Sequence, residues 1–114
     1  MKKAPLLFDQ QYKEESKLLE TVTEWLNYQP DLKALRICDR YAKGYSDIFV
    51  CLNGQFVVIE LKDDTGTMSK HQEEFIKDMK AVGAIGAECR TLRQVINLIE
   101  EARHRSNSGW YKDG

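Results

Sequence analysis

The chain has little of what would announce a function directly. Its three cysteines, Cys38, Cys51 and Cys89, are scattered and show no Cys-x-x-Cys spacing, which speaks against a zinc site. The opening Met1-Lys2-Lys3-Ala4-Pro5-Leu6-Leu7-Phe8 is too short an apolar stretch for a secretory leader, and no run approaches membrane-spanning length. An odd number of cysteines without a leader reads as reduced, buried thiols in the cytoplasm, away from any membrane. Repeats and low-complexity segments are missing. So is an excess of either charge: 17 Lys and Arg against 18 Asp and Glu leave a net charge of −1. The composition as a whole does not advertise a nucleic-acid binder, so a basic surface would have to be local.

What is present fits one soluble globular domain. With 114 residues, 42% hydrophobic and 31% charged, the chain can build one modest core and not two. The expected division is a single domain over 1–105 and a polar tail over 106–114. Residues 9–28 have the three-to-four residue spacing of an amphipathic helix, with Leu18, Leu19, Val22, Trp25 and Leu26 as its apolar stripe. Gln29-Pro30-Asp31 stops it. Residues 34–39 read as a first strand. Arg40 to Tyr45 is a basic, aromatic loop. Ser69-Lys70-His71-Gln72 opens a second helix that runs to about Val82, where Gly83 ends it. Residues 84–90 read as another strand, and Thr91 caps a last helix.

Between the first strand and the second helix lies the most informative segment. Two β-type runs, 46–52 and 55–62, flank Asn53-Gly54, a strong signal for a two-residue type I′ turn. That turn sets a register in which Leu52 faces Gln55, Val50 faces Val57 and Asp47 faces Glu60. Lys62, two residues past Glu60, points to the same face. Carboxylates directly opposite one another, with Cβ atoms roughly 5 Å apart, destabilise a sheet. A chain that builds this pair has a use for it in holding a cation. Hard oxygen ligands favour Mg²⁺ or Mn²⁺. Such an ion polarises a phosphate and activates water, and Lys62 would then stabilise charge developing on phosphorus. Taken singly, Asp47 is also an ordinary strand-start residue, and Glu60–Lys62 an ordinary surface pair. Neither explains why Asp47 stands opposite Glu60.

Gly44-Tyr45-Ser46-Asp47, then Glu60-Leu61-Lys62, then the Ser-x-x-Gln helix start at Ser69 to Gln72, together resemble the virus-type replication-repair nuclease (VRR-NUC) domain of the PD-(D/E)xK nuclease superfamily. The resemblance covers roughly residues 14 to 100. Ser46 departs from the proline of the superfamily's name, at a position that shapes the strand start rather than the chemistry. The resemblance implies a restriction-endonuclease-like α-β-β-β-α-β core, with a mixed four-stranded sheet flanked by helices. It implies a metal-dependent endonuclease acting on branched or structured DNA in replication, repair or recombination, of junction-resolving or nicking type, in a bacterial or phage-infected cell. Asp47, Glu60 and the Leu61 carbonyl would bind metal and Lys62 would be catalytic. It also implies a metal-facing glutamate on the first helix, which is Glu15 by its place before Leu18, Val22 and Leu26, with Glu14 and Glu20 as alternatives.

Gln72 has two compatible readings. Ser69 to Gln72 is a capping box, in which the Gln side chain returns to the N-cap backbone; the resemblance adds a place near the metal or a substrate phosphate. His71 beside it reads as an exposed, inert first-turn residue. Arg40, Tyr41, Lys43 and Tyr45, just before Asp47, suit phosphate contact and stacking on unpaired bases, with Lys70 nearby. Arg36, Lys77, Lys80, Arg90 and Arg93 are further candidates for backbone contact. Cutting both strands needs two sites, hence an expected homodimer. The other function class open to the sequence is a catalytically silent DNA-binding or assembly module with the same fold.

Overall fold

The computed structural model describes residues 7–37 and 47–108. The elements follow the order α1 (Glu15–Asn27), β1 (Leu32–Arg36), β2 (Ile48–Leu52), β3 (Gln55–Leu61), α2 (Lys70–Ala81), β4 (Ile85–Cys89) and α3 (Leu92–Ser108). The four strands form one mixed sheet in the order β1-β2-β3-β4. β1–β2 and β2–β3 are antiparallel, and β3–β4 is parallel. Parallel pairing of β3 and β4 requires a crossover, and α2 supplies it. Among the described residues no helix is long and apolar enough to cross a membrane.

Alternation along the strands divides the molecule into layers. Ile48, Val50 and Leu52 on β2, and Val57, Ile59 and Leu61 on β3, are buried against Leu18, Val22 and Leu26 of α1 and Val95, Ile99 and Ala102 of α3. This is the main core. The other face, containing Phe49, Phe56 and Val58, meets α2. Gly86 makes that contact possible: a Cβ there would press on the Val58 Cγ2 methyl and lie 3.4 Å from Ile76 Cγ2. Its bare backbone lets Ile76 sit down on the β3–β4 half of the sheet. Phe75 of the same helix stacks on Phe49 at 6.0 Å between ring centres.

Local signals act as their chemistry dictates. Asn53 (φ 48°) and Gly54 (φ 87°) are both left-handed, as the type I′ turn demands. Leu52 pairs with Gln55 and Val50 with Val57, the register expected from the turn. Ser69 and Gln72 complete both bonds of the capping box. At the other end of α2, Gly83 (φ 111°) closes a Schellman arrangement, with Ala84 N–H donating to the Met79 carbonyl and Gly83 N–H to that of Lys80. Thr91 Oγ1 accepts from Gln94 N–H and so caps α3.

Four expectations need correction. The helix expected over residues 9–28 spans Glu15–Asn27, with residues 7–9 in a separate helical turn and a break over residues 10–14. Within that break Tyr12 is buried and its carbonyl accepts from Asp64 N–H at 2.7 Å, a tertiary bond that helical backbone would forbid. The first strand is Leu32–Arg36 and not 34–39, because Leu32 pairs with Leu52 beside the turn. The last helix runs past residue 105 to Ser108, and Ser106 within it is buried with its hydroxyl donating to the Asn53 carbonyl. Cys51, expected to be buried, is exposed: α2 lies over β3 and β4 and its Phe75 reaches Phe49, but Cys51 stays open to solvent. Cys38, Trp110 and Tyr111 lie outside the described residues.

Candidate active site

The hairpin register and the β3–β4 pairing generate a row of side chains across the sheet. Ile37 N–H donates to the Asp47 carbonyl at 2.8 Å, continuing the β1–β2 ladder. Asp47 follows Ile48 in the register that pairs Ile48 with Ile59, so it stands opposite Glu60. Glu60 in turn pairs with Glu88 on β4. Asp47, Glu60 and Glu88 therefore lie side by side on one face, at strand spacings of about 4.8 Å. One pleat further on come Lys62 and Arg90.

Glu60 is the anomaly of this row. It is 0% exposed, at the end of a strand in which Val57, Val58, Ile59 and Leu61 are also buried. Both of its carboxylate oxygens lack a hydrogen-bond partner. Lys62 Nζ lies 3.2 Å from Oε2 as an ion pair and is itself mostly covered, but it is not aligned as a hydrogen bond. Burial, and then the charge of Asp47, push the Glu60 carboxyl up to about 8 from its usual 4.5. Asp47 is better served: its Oδ2 accepts from Leu61 N–H at 2.7 Å. Burial nevertheless raises it too, against the pull of that bond and of Lys62.

Glu15 joins this group from α1. It is half-buried in the first turn, and its carboxyl is raised, first by burial, then by Asp47. Its charge in turn acts on Glu60. Of the alternatives, Glu14 and Glu20 are exposed and line a different hollow of about 550 Å³ with Lys13 and Lys17. The approach of Glu15 depends on how the strand exit is fastened. Beyond Lys62, Asp63 Oδ1 accepts from Gly66 N–H at 2.7 Å and Thr65 N–H at 3.1 Å, folding the loop on itself. Arg90 Nη1 donates to the Asp63 carbonyl at 2.5 Å while its Nη2 pairs with Glu88 at 2.9 Å. The Asp64–Tyr12 bond ties the same loop to the segment that leads into α1.

The remaining expected residues divide four ways. Gln72 spends its side-chain oxygen on Ser69 N–H at 2.9 Å, as the capping box requires. Lys70 and His71 are exposed in the first turn of α2. Arg40, Tyr41, Lys43 and Tyr45 lie outside the described residues. Arg93 pairs with Asp9 at 2.6 Å, and Arg90 is engaged as above, so both are committed within the fold. Glu88 and Arg90 complete the row but were not anticipated as a pair beside Glu60. Their only signal was the reading of 84–90 as a strand, which says nothing of its register. Cys89 offers no nucleophile here, since burial and then Glu88 push its thiol up to about 12.

The donor set suits a hard divalent cation. Glu60 Oε1 is buried with no partner and Oε2 has only the Lys62 ion pair, and a cation would satisfy both in place of hydrogen bonds. Among the described residues no three His, Cys, Asp or Glu side chains stand close enough to form a closed metal cage. Mg²⁺ does not require one: it is commonly held by one or two carboxylates plus waters and substrate phosphate. Comparison with family models, with curated proteins and with solved structures yields no match for the chain.

Proposed function

We propose that the chain is a Mg²⁺- or Mn²⁺-dependent DNA endonuclease of the VRR-NUC type. One observation carries the reading. Glu60 is fully buried, opposite a second carboxylate, with both oxygens unbonded and only Lys62 beside it. Buried carboxylates without hydrogen bonds are costly and rare, and they concentrate where charge is used for chemistry.

In this reading Asp47 and Glu60 hold the ion, with the Leu61 carbonyl at the same strand end, and Glu15 contributes from α1. The bound ion would supply polarisation of the phosphate and acidification of a water. Leu61 N–H fixes the rotamer of Asp47 through Oδ2. Lys62, held at the mouth of the row by Glu60, meets the charge that develops on the phosphate in the transition state. Gln72 fixes the start of α2 through the Ser69 capping box. The Arg90–Asp63 contact keeps the strand exit, and so the Lys62 backbone, in place. Branched or structured DNA as substrate, and a homodimer that presents two sites, follow from the same reading.

The alternative, a catalytically silent DNA-binding or assembly module, leaves the buried Glu60–Asp47 opposition without a purpose. Purified protein incubated with labelled flap, junction and linear duplex DNA, in Mn²⁺ and in EDTA, separates the two. Metal-dependent strand cleavage is the expected result. Binding with no cleavage under any metal condition would establish the silent module instead.

A further inference from the structure

The carboxylate row is built on the sheet, but Glu15 reaches it from α1, and nothing local fixes where α1 begins. Glu14, at its N-cap, makes no side-chain cap bond. Lys17 and Leu18 N–H reach the Glu14 carbonyl at 3.2 and 3.5 Å. A helix start without a capping side chain frays unless something else holds it. Here the hold is tertiary. Tyr12, buried in the segment that leads into α1, accepts from Asp64 N–H at 2.7 Å through its carbonyl and donates its hydroxyl to Thr21 Oγ1 at 3.3 Å. Asp64 belongs to the loop that leaves β3 directly after Lys62. One backbone bond therefore joins the sheet half of the site to the helix half.

Asp63 shapes that loop. Its Oδ1 accepts from Gly66 N–H at 2.7 Å and from Thr65 N–H at 3.1 Å, the pattern of an Asx turn. Arg90 Nη1 holds its carbonyl from the side of β4. Burial, then Asp47, and more weakly Asp63 raise the Glu15 carboxyl, so Asp63 is also a charge close to the site. Composition alone would count it as one more ligand. The geometry gives it a different task, because the oxygen that it would offer to a cation is spent on two backbone N–H groups. An acceptor used in this way sets the path of the chain, and groups that orient metal ligands from behind control affinity without touching the ion.

We infer that Asp63 is a positioning residue for the cation site: its side chain folds the 63–66 loop, the loop presents Asp64 N–H to the Tyr12 carbonyl, and that bond sets Glu15 toward Asp47 and Glu60. The inference deepens the proposed metal reading and rests on it for the ion and for Glu15 as a ligand. It gives a role to a residue outside the Asp47, Glu60 and Lys62 set, and it makes the loop beyond β3 part of what holds the ion.

The test compares Asp63→Ala, which removes both the acceptor and the charge, with Asp63→Asn, which removes the charge and keeps Oδ1. Both are made in the full chain. Calorimetry reads Mn²⁺ affinity, and hydrogen exchange of the Asp64 amide reads the bond to Tyr12. Asp63→Ala should bind Mn²⁺ about tenfold more weakly, the low end of what is lost when a group that orients a metal ligand is removed, and its Asp64 amide should exchange faster. Asp63→Asn should stay close to wild type in both. In a Glu15→Gln background Asp63→Ala should cost no further affinity, because it acts through Glu15. Gly66→Ala is a second variant, needed if Asp63→Ala fails to fold: its Cβ would lie 3.0 Å from Asp63 Oδ1 and crowd the same turn, so both readouts should move in the same direction. An equal loss in Asp63→Asn would make the charge itself the active feature and overturn the inference. So would a loss in Asp63→Ala that persists in full with Glu15→Gln, or an Asp64 amide that opens with no change in affinity. A wild type that binds no Mn²⁺ refutes the metal reading and the inference together. Wild-type binding that Asp63→Ala leaves unaltered refutes the inference alone.

Discussion

Replacing Glu60 by Gln should make the metal-free protein more stable, and the gain should depend on pH. The folded state holds the Glu60 carboxyl up at about 8, against 4.5 when free. A raised carboxyl means that the folded protein binds this proton more tightly than the unfolded chain does. Stability is then greatest below 4.5, falls as pH rises through the window, and levels off above about 8. At 1.36 kcal/mol per pH unit, the span from 4.5 to pH 7 corresponds to a loss of about 3 kcal/mol, growing to between 4 and 5 kcal/mol, roughly, above pH 8. Asp47, shifted in the same direction, adds to the slope. Gln removes the charge but leaves a buried amide in want of partners, which costs about 1–2 kcal/mol. The net gain expected for Glu60→Gln is therefore about 1–2 kcal/mol at pH 7 and largest above pH 8, turning into a loss of up to about 1 kcal/mol at pH 5, where the amide's cost exceeds the small carboxylate penalty. Urea unfolding of both proteins in EDTA at three pH values measures it. A wild type whose stability does not fall between pH 5 and 8, or a Glu60→Gln protein less stable than wild type at pH 8.5, would refute the reasoning.

Other perturbations separate the site from the scaffold. Lys62→Ala should lower the single-turnover cleavage rate by about 10²–10³ while leaving DNA affinity within a few-fold, since the ammonium acts on transition-state charge; gel-based kinetics at saturating enzyme read both. Arg103→Ala removes contacts to Asp31, Gln29 and Glu100 that tie α3 to the end of α1, and should cost about 1–2 kcal/mol at neutral pH for a partly exposed network. Because the Arg103 hydrogen bond lowers the Asp31 carboxyl below 3.8, that contribution is present above 3.8 and lost as pH falls through the lower folded value, so the difference should vanish in strong acid. Gly86→Ala should destabilise by about 1–3 kcal/mol through overpacking, since its Cβ would press on Val58 and lie 3.3 Å from the Val58 carbonyl; thermal melts of the purified variant check this.

The parts of this molecule that were legible in the sequence are those set by short-range chemistry. Asn53-Gly54 dictates its own turn, and the turn dictates the register, so the opposition of Asp47 and Glu60 follows from two residues. The Ser69–Gln72 box and Gly83 fix both ends of α2 in the same local way. Long-range contacts were not legible. Periodicity extended the first helix to residue 9, but the Tyr12–Asp64 bond is made across 52 positions of chain and overrides it. The tail's polar composition hid the continuation of α3, whose residue Ser106 is anchored on the Asn53 turn. The Glu60–Glu88 and Lys62–Arg90 neighbours were hidden because the parallel register of β4 is set by the α2 crossover and by the close approach at Gly86, neither of which leaves a mark on strand periodicity. Cys51 looked like a core residue because alternation identifies a face without telling whether a helix covers it.

The claim on which the rest depends is that Asp47 and Glu60 hold a divalent cation. Calorimetric titration of Mn²⁺ into the purified protein at pH 7, repeated in buffers of different ionisation enthalpy, tests it most directly. The expected result is saturable binding accompanied by proton release, because Glu60 carries a proton at pH 7 that the cation must displace, with both signals lost in Glu60→Gln. Absence of saturable binding, or binding of equal strength and proton count in Glu60→Gln, would contradict it.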